Sequence, residues 1–268
     1  MHWSRSYLLL AFLLSVISCK KGTEQPQGTN YNVLLKTVTK ANFSVFEMTV
    51  NYTYNSSGQL TETRTTYRNS TPGTEQQTEN FYRNTSGRLD STRFFTMDNG
   101  TPVTTRTFLT YDGSGRIIKS TQIHISSGQT TDSSIYTYAG STLQQRDDYR
   151  SFSGGPFSLL RQGLYTFDGS ANLTRAIFKW PAGNIIDTIK FEYDTKINPL
   201  PIDQLQFYWA PFFYNDYKPA NNPTLQFTNA AESFTNEYTY APNNKPLYRK
   251  SKVIGSNTSF YETWYYYD

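Results

Sequence analysis

Bulky and polar residues alternate along this chain in short segments separated by turn chemistry, and the stretch Leu109 to Lys119, LTYDGSGRIIK, contains one whole junction. Leu109 and Tyr111 flank Thr110, so two large side chains share one face of a strand. Asp112-Gly113-Ser114-Gly115 then supplies a turn, because Asp bonds the backbone ahead of it and Gly takes the left-handed conformation. Arg116-Ile117-Ile118 opens a return strand.

The same junction recurs. Tyr54 to Leu60 repeats it in register, and looser copies begin at Tyr82, Tyr138, Phe167, Tyr193 and Tyr240, with an eighth at Tyr267-Asp268. The spacing is about 28 residues and is broken once, after Tyr193, which marks a repeated supersecondary unit. Two strands of about ten residues with two turns fill that length. The pattern predicts an all-β fold, an antiparallel meander of about 14–15 strands curled into an open or closed barrel-like sheet.

Composition agrees, since 22 Tyr, 18 Phe and 4 Trp put aromatics at 16% of the chain. Such residues favour strands. The break in the period is an insertion at 198–224. Within it Ile202, Leu205 and Trp209 have helical spacing, Asp203 suits a first turn and Pro211 ends the run, so one short helix or loop is expected. Tyr208, Trp209, Phe212, Phe213 and Tyr214 make this the most aromatic segment. Such rings can stack on a sugar or apolar ligand, or they can plug the curled sheet; the sequence leaves both roles open.

The first residues have a different pattern. Arg5 precedes the apolar run Leu8 to Ile17, and Ser18-Cys19 closes it. That is the order of a secretory signal, too short to span a bilayer comfortably. A small residue before the one Cys in the chain resembles the lipobox of bacterial lipoproteins, which implies a signal peptide over 1–18 and lipid attachment at Cys19. Residues 19–30 are polar and aperiodic and read as a flexible tether. The period runs through one β-hairpin repeat domain over 31–268. Lys20 and Lys21 follow the Cys, favouring the periplasmic side of the outer membrane over the cell surface.

A lipobox followed by Tyr-x-Tyr-Asp-like hairpins resembles the secreted Bacteroidota lipoproteins collected as domain-of-unknown-function family 4595, which implies a porin-like fold. FEYDTKINPL (Phe191 to Leu200) and NNPT (Asn221 to Thr224) are the distinctive pieces. The hairpins are also similar to the YD repeats of Rhs-type shell proteins, without an Asp-Pro-x-Gly-Leu-type cleavage element. Neither resemblance supplies catalytic residues.

Catalytic chemistry is sparse. Beyond the leader, His124 is the one histidine, and no His, Cys or carboxylate group has metal-ligand spacing, so no cofactor or metal is expected. Asp147 and Asp148 are adjacent but point to opposite faces of a strand, between Arg146 and Arg150, and read as solvated charges. In Thr61 to Arg68, Glu62, Arg64 and Arg68 share a face, which would not suit lipid. The formal net charge of +4 is scattered, and in Tyr248 to Val253 Arg249 faces opposite to Lys250 and Lys252, so no nucleic-acid stripe forms. Asp90-Ser91-Thr92 and Asp187-Thr188-Ile189 resemble a bacterial O-glycosylation signal. Together these features lead to a lipid-anchored binding or scaffold protein for a glycan or other small ligand. A glycan hydrolase and an outer-membrane pore are the alternatives.

Overall fold

In the computed structural model, residues 33–268 are described apart from 43–45, 69–73, 99, 153, 201–218, 230–232 and 257. They form sixteen strands, and none of the described residues is helical. The first six are β1 Leu34–Ala41, β2 Glu47–Tyr54, β3 Leu60–Arg68, β4 Thr74–Arg83, β5 Leu89–Asp98 and β6 Thr101–Tyr111. Next come β7 Ile117–His124, β8 Thr130–Ala139, β9 Thr142–Arg150, β10 Ser158–Phe167 and β11 Leu173–Lys179. The last five are β12 Ile185–Ile197, β13 Asn221–Thr228, β14 Phe234–Tyr240, β15 Pro246–Val253 and β16 Ser259–Tyr267.

Each strand pairs antiparallel with the next, and β1 pairs with β16, so the meander is a closed barrel. The repeat is thus a hairpin, as its length implied, and closure removes the free edges an open sheet would have. Asn221 to Thr224, expected at the end of the insertion, instead begin β13. At the seam Asp268 takes the place of a turn: its N–H donates to Val33 O, and its carboxylate accepts from Val33 N at 2.9 Å.

Turn chemistry sets the repeat. Asn55, Asn84, Asp112 and Asp168 each accept two backbone N–H bonds through one side-chain oxygen, from the residues two and four positions ahead. The bonds from Arg116 and Ser114 hold the Asp112 carboxyl below its ordinary range. Gly115 closes its turn at φ 81°, the left-handed conformation that the sequence required of it. Ala171 and Asn244 occupy the equivalent place at φ 61° and 65°.

These turns gather at one end of the barrel, where the key tyrosines point into the lumen and reach back one strand. The hydroxyls of Tyr54, Tyr111, Tyr138, Tyr193 and Tyr267 donate to the carbonyls of Leu34, Leu89, Ile117, Leu173 and Pro246. Each acceptor is the first residue of the preceding strand, so the bond staples a hairpin to its neighbour. The second repeat corrects the sequence register. Arg83, not Tyr82, precedes the turn residue Asn84, and Tyr82 points outward at 41% exposed. The turn, rather than the aromatic ring, fixes the phase.

Among the described residues nothing packs outside the single closed sheet, so their large side chains are buried chiefly in its lumen. Leu34, Val50, Tyr52, Leu60, Phe81 and Tyr265 belong to one apolar cluster near the turn end, while Tyr165, Leu173, Phe178 and Ile189 belong to another that runs along β10 to β12. Farther in, the walls are hydroxyl-rich: Thr37, Thr39, Thr63, Thr65 and Thr263 are buried. The outer face carries exposed Arg64, Arg93, Lys119, Arg175 and Lys190.

The tyrosine staples yield a direct expectation. Tyr111→Phe removes the donor to Leu89 O at 2.6 Å and should cost about 1 kcal/mol in denaturant unfolding. Tyr82→Phe, at an outward position, should stay within about 0.5 kcal/mol. Equal effects at the two sites would remove the basis for the staple.

Candidate functional site

Alternation along the strands decides which polar residues face the lumen. On β15 the pairing of Arg249 with Thr263 and of Ser251 with Tyr261 turns both inward, while Lys250 and Lys252 face out. Outside, Lys252 meets Glu237 at 2.5 Å. The opposite orientation of Arg249 and its lysine neighbours is therefore as the sequence implied.

Inside β11 to β16 lies a cavity of about 290 Å³. Phe191, Tyr193, Phe234, Tyr238, Tyr261 and Tyr265 supply its rings. Asn198, Asn222, Gln226, Asn236 and Ser251 supply amides and a hydroxyl. Leu200 and Pro219, which flank residues 201–218, also line it. The wall therefore offers flat apolar faces with many neutral hydrogen-bonding groups, the usual make-up of a site for a small polar ligand.

Arg249 is the charged residue of this wall. Its Nη2 donates to Thr263 Oγ1 at 3.0 Å, and the Tyr238 hydroxyl, which donates to Pro223 O, accepts a second bond. Burial pushes the Tyr238 and Tyr265 hydroxyls above their ordinary range, so they stay neutral and leave the guanidinium charge uncancelled. No carboxylate among the described residues forms an ion pair with Arg249.

A second polar group lies on β8 to β10. Asp148 meets Arg146 at 2.8 Å and Arg161 at 2.9 Å, and accepts from Ser134 Oγ at 2.7 Å. Burial raises its pKa, but the two arginines outweigh this and hold the carboxyl below its usual range. Arg150 pairs with Asp132 at 2.7 Å. Asp147, on the outer face, accepts from Gln145 and Gln162. The expectation that both aspartates are solvated charges therefore fails for Asp148: alternation turns it into the lumen, where two inward arginines hold it. Their opposite orientation, which was expected, prevents them from acting together as an acid and base pair.

The other candidates lie elsewhere. His124 pairs in register with Thr105, and its Nδ1 lies 2.9 Å from Ser126 Oγ. No group of three or more His, Cys, Asp or Glu suited to a metal occurs among the described residues. Ser91, Thr92 and Thr188 are buried, so neither glycosylation-like triplet presents its hydroxyls on the folded surface. Cys19 and the aromatic candidates Tyr208, Trp209, Phe212, Phe213 and Tyr214, with the expected short helix, lie outside the described residues. The cavity wall itself escaped the sequence reading. Its signal was the inward phase of six consecutive strands, which becomes usable only once register is known.

This architecture defines a class, the sixteen-stranded antiparallel barrel with a partly filled lumen. Among solved structures it is similar to a porin-like protein from Bacteroides uniformis, at 16% identity and TM-score 0.58 over 88% of this chain and 98% of that one. A porin-like protein from Bacteroides vulgatus aligns at 11% identity and TM-score 0.39 over the same shares. The first likeness establishes the porin-like fold. No protein-family model matches the chain, nor does any curated protein.

Glu79 provides a pH test of the lumen. It is 8% exposed, and burial pushes its carboxyl from 4.5 up to about 7, against a hydrogen bond with Thr92 that lowers it. The folded state therefore keeps this proton to higher pH than the unfolded chain. Its contribution is full below pH 4.5 and is lost as pH rises through about 7. Glu79→Gln should gain on the wild type between pH 4 and pH 8 by up to about 3 kcal/mol in denaturant unfolding. A pH-independent difference would mean that Glu79 is solvated.

Proposed function

We propose that the protein is a lipid-anchored binding module of the bacterial envelope, held through Cys19 on the periplasmic side of the outer membrane. It takes a small polar ligand, a glycan unit or a similar molecule, into the cavity inside β11 to β16. The observation that carries the binding reading is the cavity wall, in which six rings and four amides converge with Arg249. The order Arg5, apolar run, Ser18, Cys19 supports the signal peptide over 1–18, the tether over 19–30 and the anchor. FEYDTKINPL and NNPT support a place among the family 4595 lipoproteins. Tyr208, Trp209, Phe212, Phe213 and Tyr214 stand in the chain between Leu200 and Pro219, two residues of the cavity wall, and on this reading serve the same ligand.

The outer face argues against a lipid-spanning pore. An outward charge at a bilayer midplane costs about 2–4 kcal/mol, and Arg64, Arg93, Lys119, Arg175 and Lys190 are all exposed. Purified protein added to liposomes should produce no conductance, and channel currents would restore the pore.

Two further measurements test the proposal. Cys19→Ala should abolish labelled-palmitate incorporation and move the protein out of the membrane fraction; unchanged detergent partitioning would rule out the anchor. Glycan-array binding by the purified full chain should be saturable and leave the glycan intact. Release of a product would make the protein a hydrolase instead.

A further inference from the structure

On β9 and β10 inward arginines meet carboxylates. Arg146 and Arg161 share Asp148, and Arg150 has Asp132. Arg249 differs, because its partners are the neutral oxygens of Thr263 and Tyr238. Its Nε is buried with no hydrogen-bond partner among the described residues. The remaining accessible part of the side chain borders the cavity. An enclosed guanidinium with no carboxylate beside it among the described residues is costly, and the planar fork of arginine matches a carboxylate through two parallel bonds.

The surroundings restrict that anion further. The cavity of about 290 Å³ is at the lower limit of ordinary ligand sites, which suits one ring rather than a chain of sugars. Asn222, Gln226 and Asn236 can donate to or accept from ligand hydroxyls, and the faces of Phe191, Tyr193 and Tyr265 offer flat apolar contact. Resting on the cavity reading above, we infer that the ligand is a carboxylate-bearing monosaccharide of the uronic acid class, with its carboxylate on Arg249 and its hydroxyls on the amides.

The test compares glucuronate, its neutral amide glucuronamide, glucose and acetate on the wild-type full chain by calorimetry and thermal shift. Glucuronate should bind at least tenfold more tightly than glucuronamide and glucose, and more tightly than acetate, which lacks the ring. Arg249→Met should lose the preference for glucuronate over glucuronamide. Because that variant could fail to fold, the wild-type comparison of acid with amide decides the matter alone. Equal binding of glucuronate, glucuronamide and glucose would overturn the carboxylate assignment while leaving the cavity as a binding site. Acetate binding as tight as glucuronate would overturn the sugar. Absence of binding by all four probes would overturn the inference, and saturable binding of an oligosaccharide on the glycan array would then show that the cavity reading survives. Glucuronate binding that appears only after Asp203→Asn or Asp216→Asn would also overturn it, because the partner of Arg249 would then belong to its own chain.

Discussion

Sixteen strands closed on themselves enclose more space than their inward side chains can fill. At about 4.8 Å between strands and a tilt of about 40°, a round barrel of this size would be about 30 Å across. Side chains from opposite walls do not meet over that distance, so a single dry core is not available. The apolar residues therefore gather in two clusters, and much of the remaining wall is Thr, Ser, Asn and Gln. Charges turned inward by strand alternation have to be compensated locally. Asp148 between two arginines shows that solution, whereas Arg249, beside the cavity, has only neutral oxygens as partners among the described residues.

The turns organise this arrangement from one end. An Asx side chain bonded to two N–H groups fixes the phase of four hairpins, and in two of them, at Asn55 and Asp112, the tyrosine before it falls in position to bond the neighbouring strand. Where the aromatic residue is displaced, as at Tyr82, the turn geometry persists and the staple does not. The break in the repeat follows Tyr193 at this same end, which brings Asn198, Leu200 and Pro219 to the cavity. From that end the cavity runs along β14 and β16 as far as Phe234 and Tyr261.

Much of the fold was legible because alternation and turn chemistry are local. The period, the antiparallel class and the left-handed glycine at 115 all follow from residues within one hairpin of each other. The sixteen strands exceed the expected fourteen or fifteen by one or two, since β1 and the separate β13 lie at the borders of the repeat pattern. The cavity was not legible, because Tyr193, Gln226, Asn236, Arg249 and Tyr265 come from five strands and converge only through register. Asp148 was misjudged for the same reason: its arginine partner on β10 is thirteen residues away in sequence, and nothing near it reveals the pairing.

The seam between β1 and β16 joins residues more than two hundred positions apart, with Val33 and Asp268 bonded across it. Every other strand contact can form as its hairpin is made, but this one must wait for the final strand. Until then the growing sheet has two unpaired edges, at β1 and at the latest strand added, each able to recruit a second chain. Contacts of such separation also slow folding. The barrel is thus most exposed to aggregation while it is nearly complete, and its last ten residues carry a kinetic burden that their share of the contacts would not suggest.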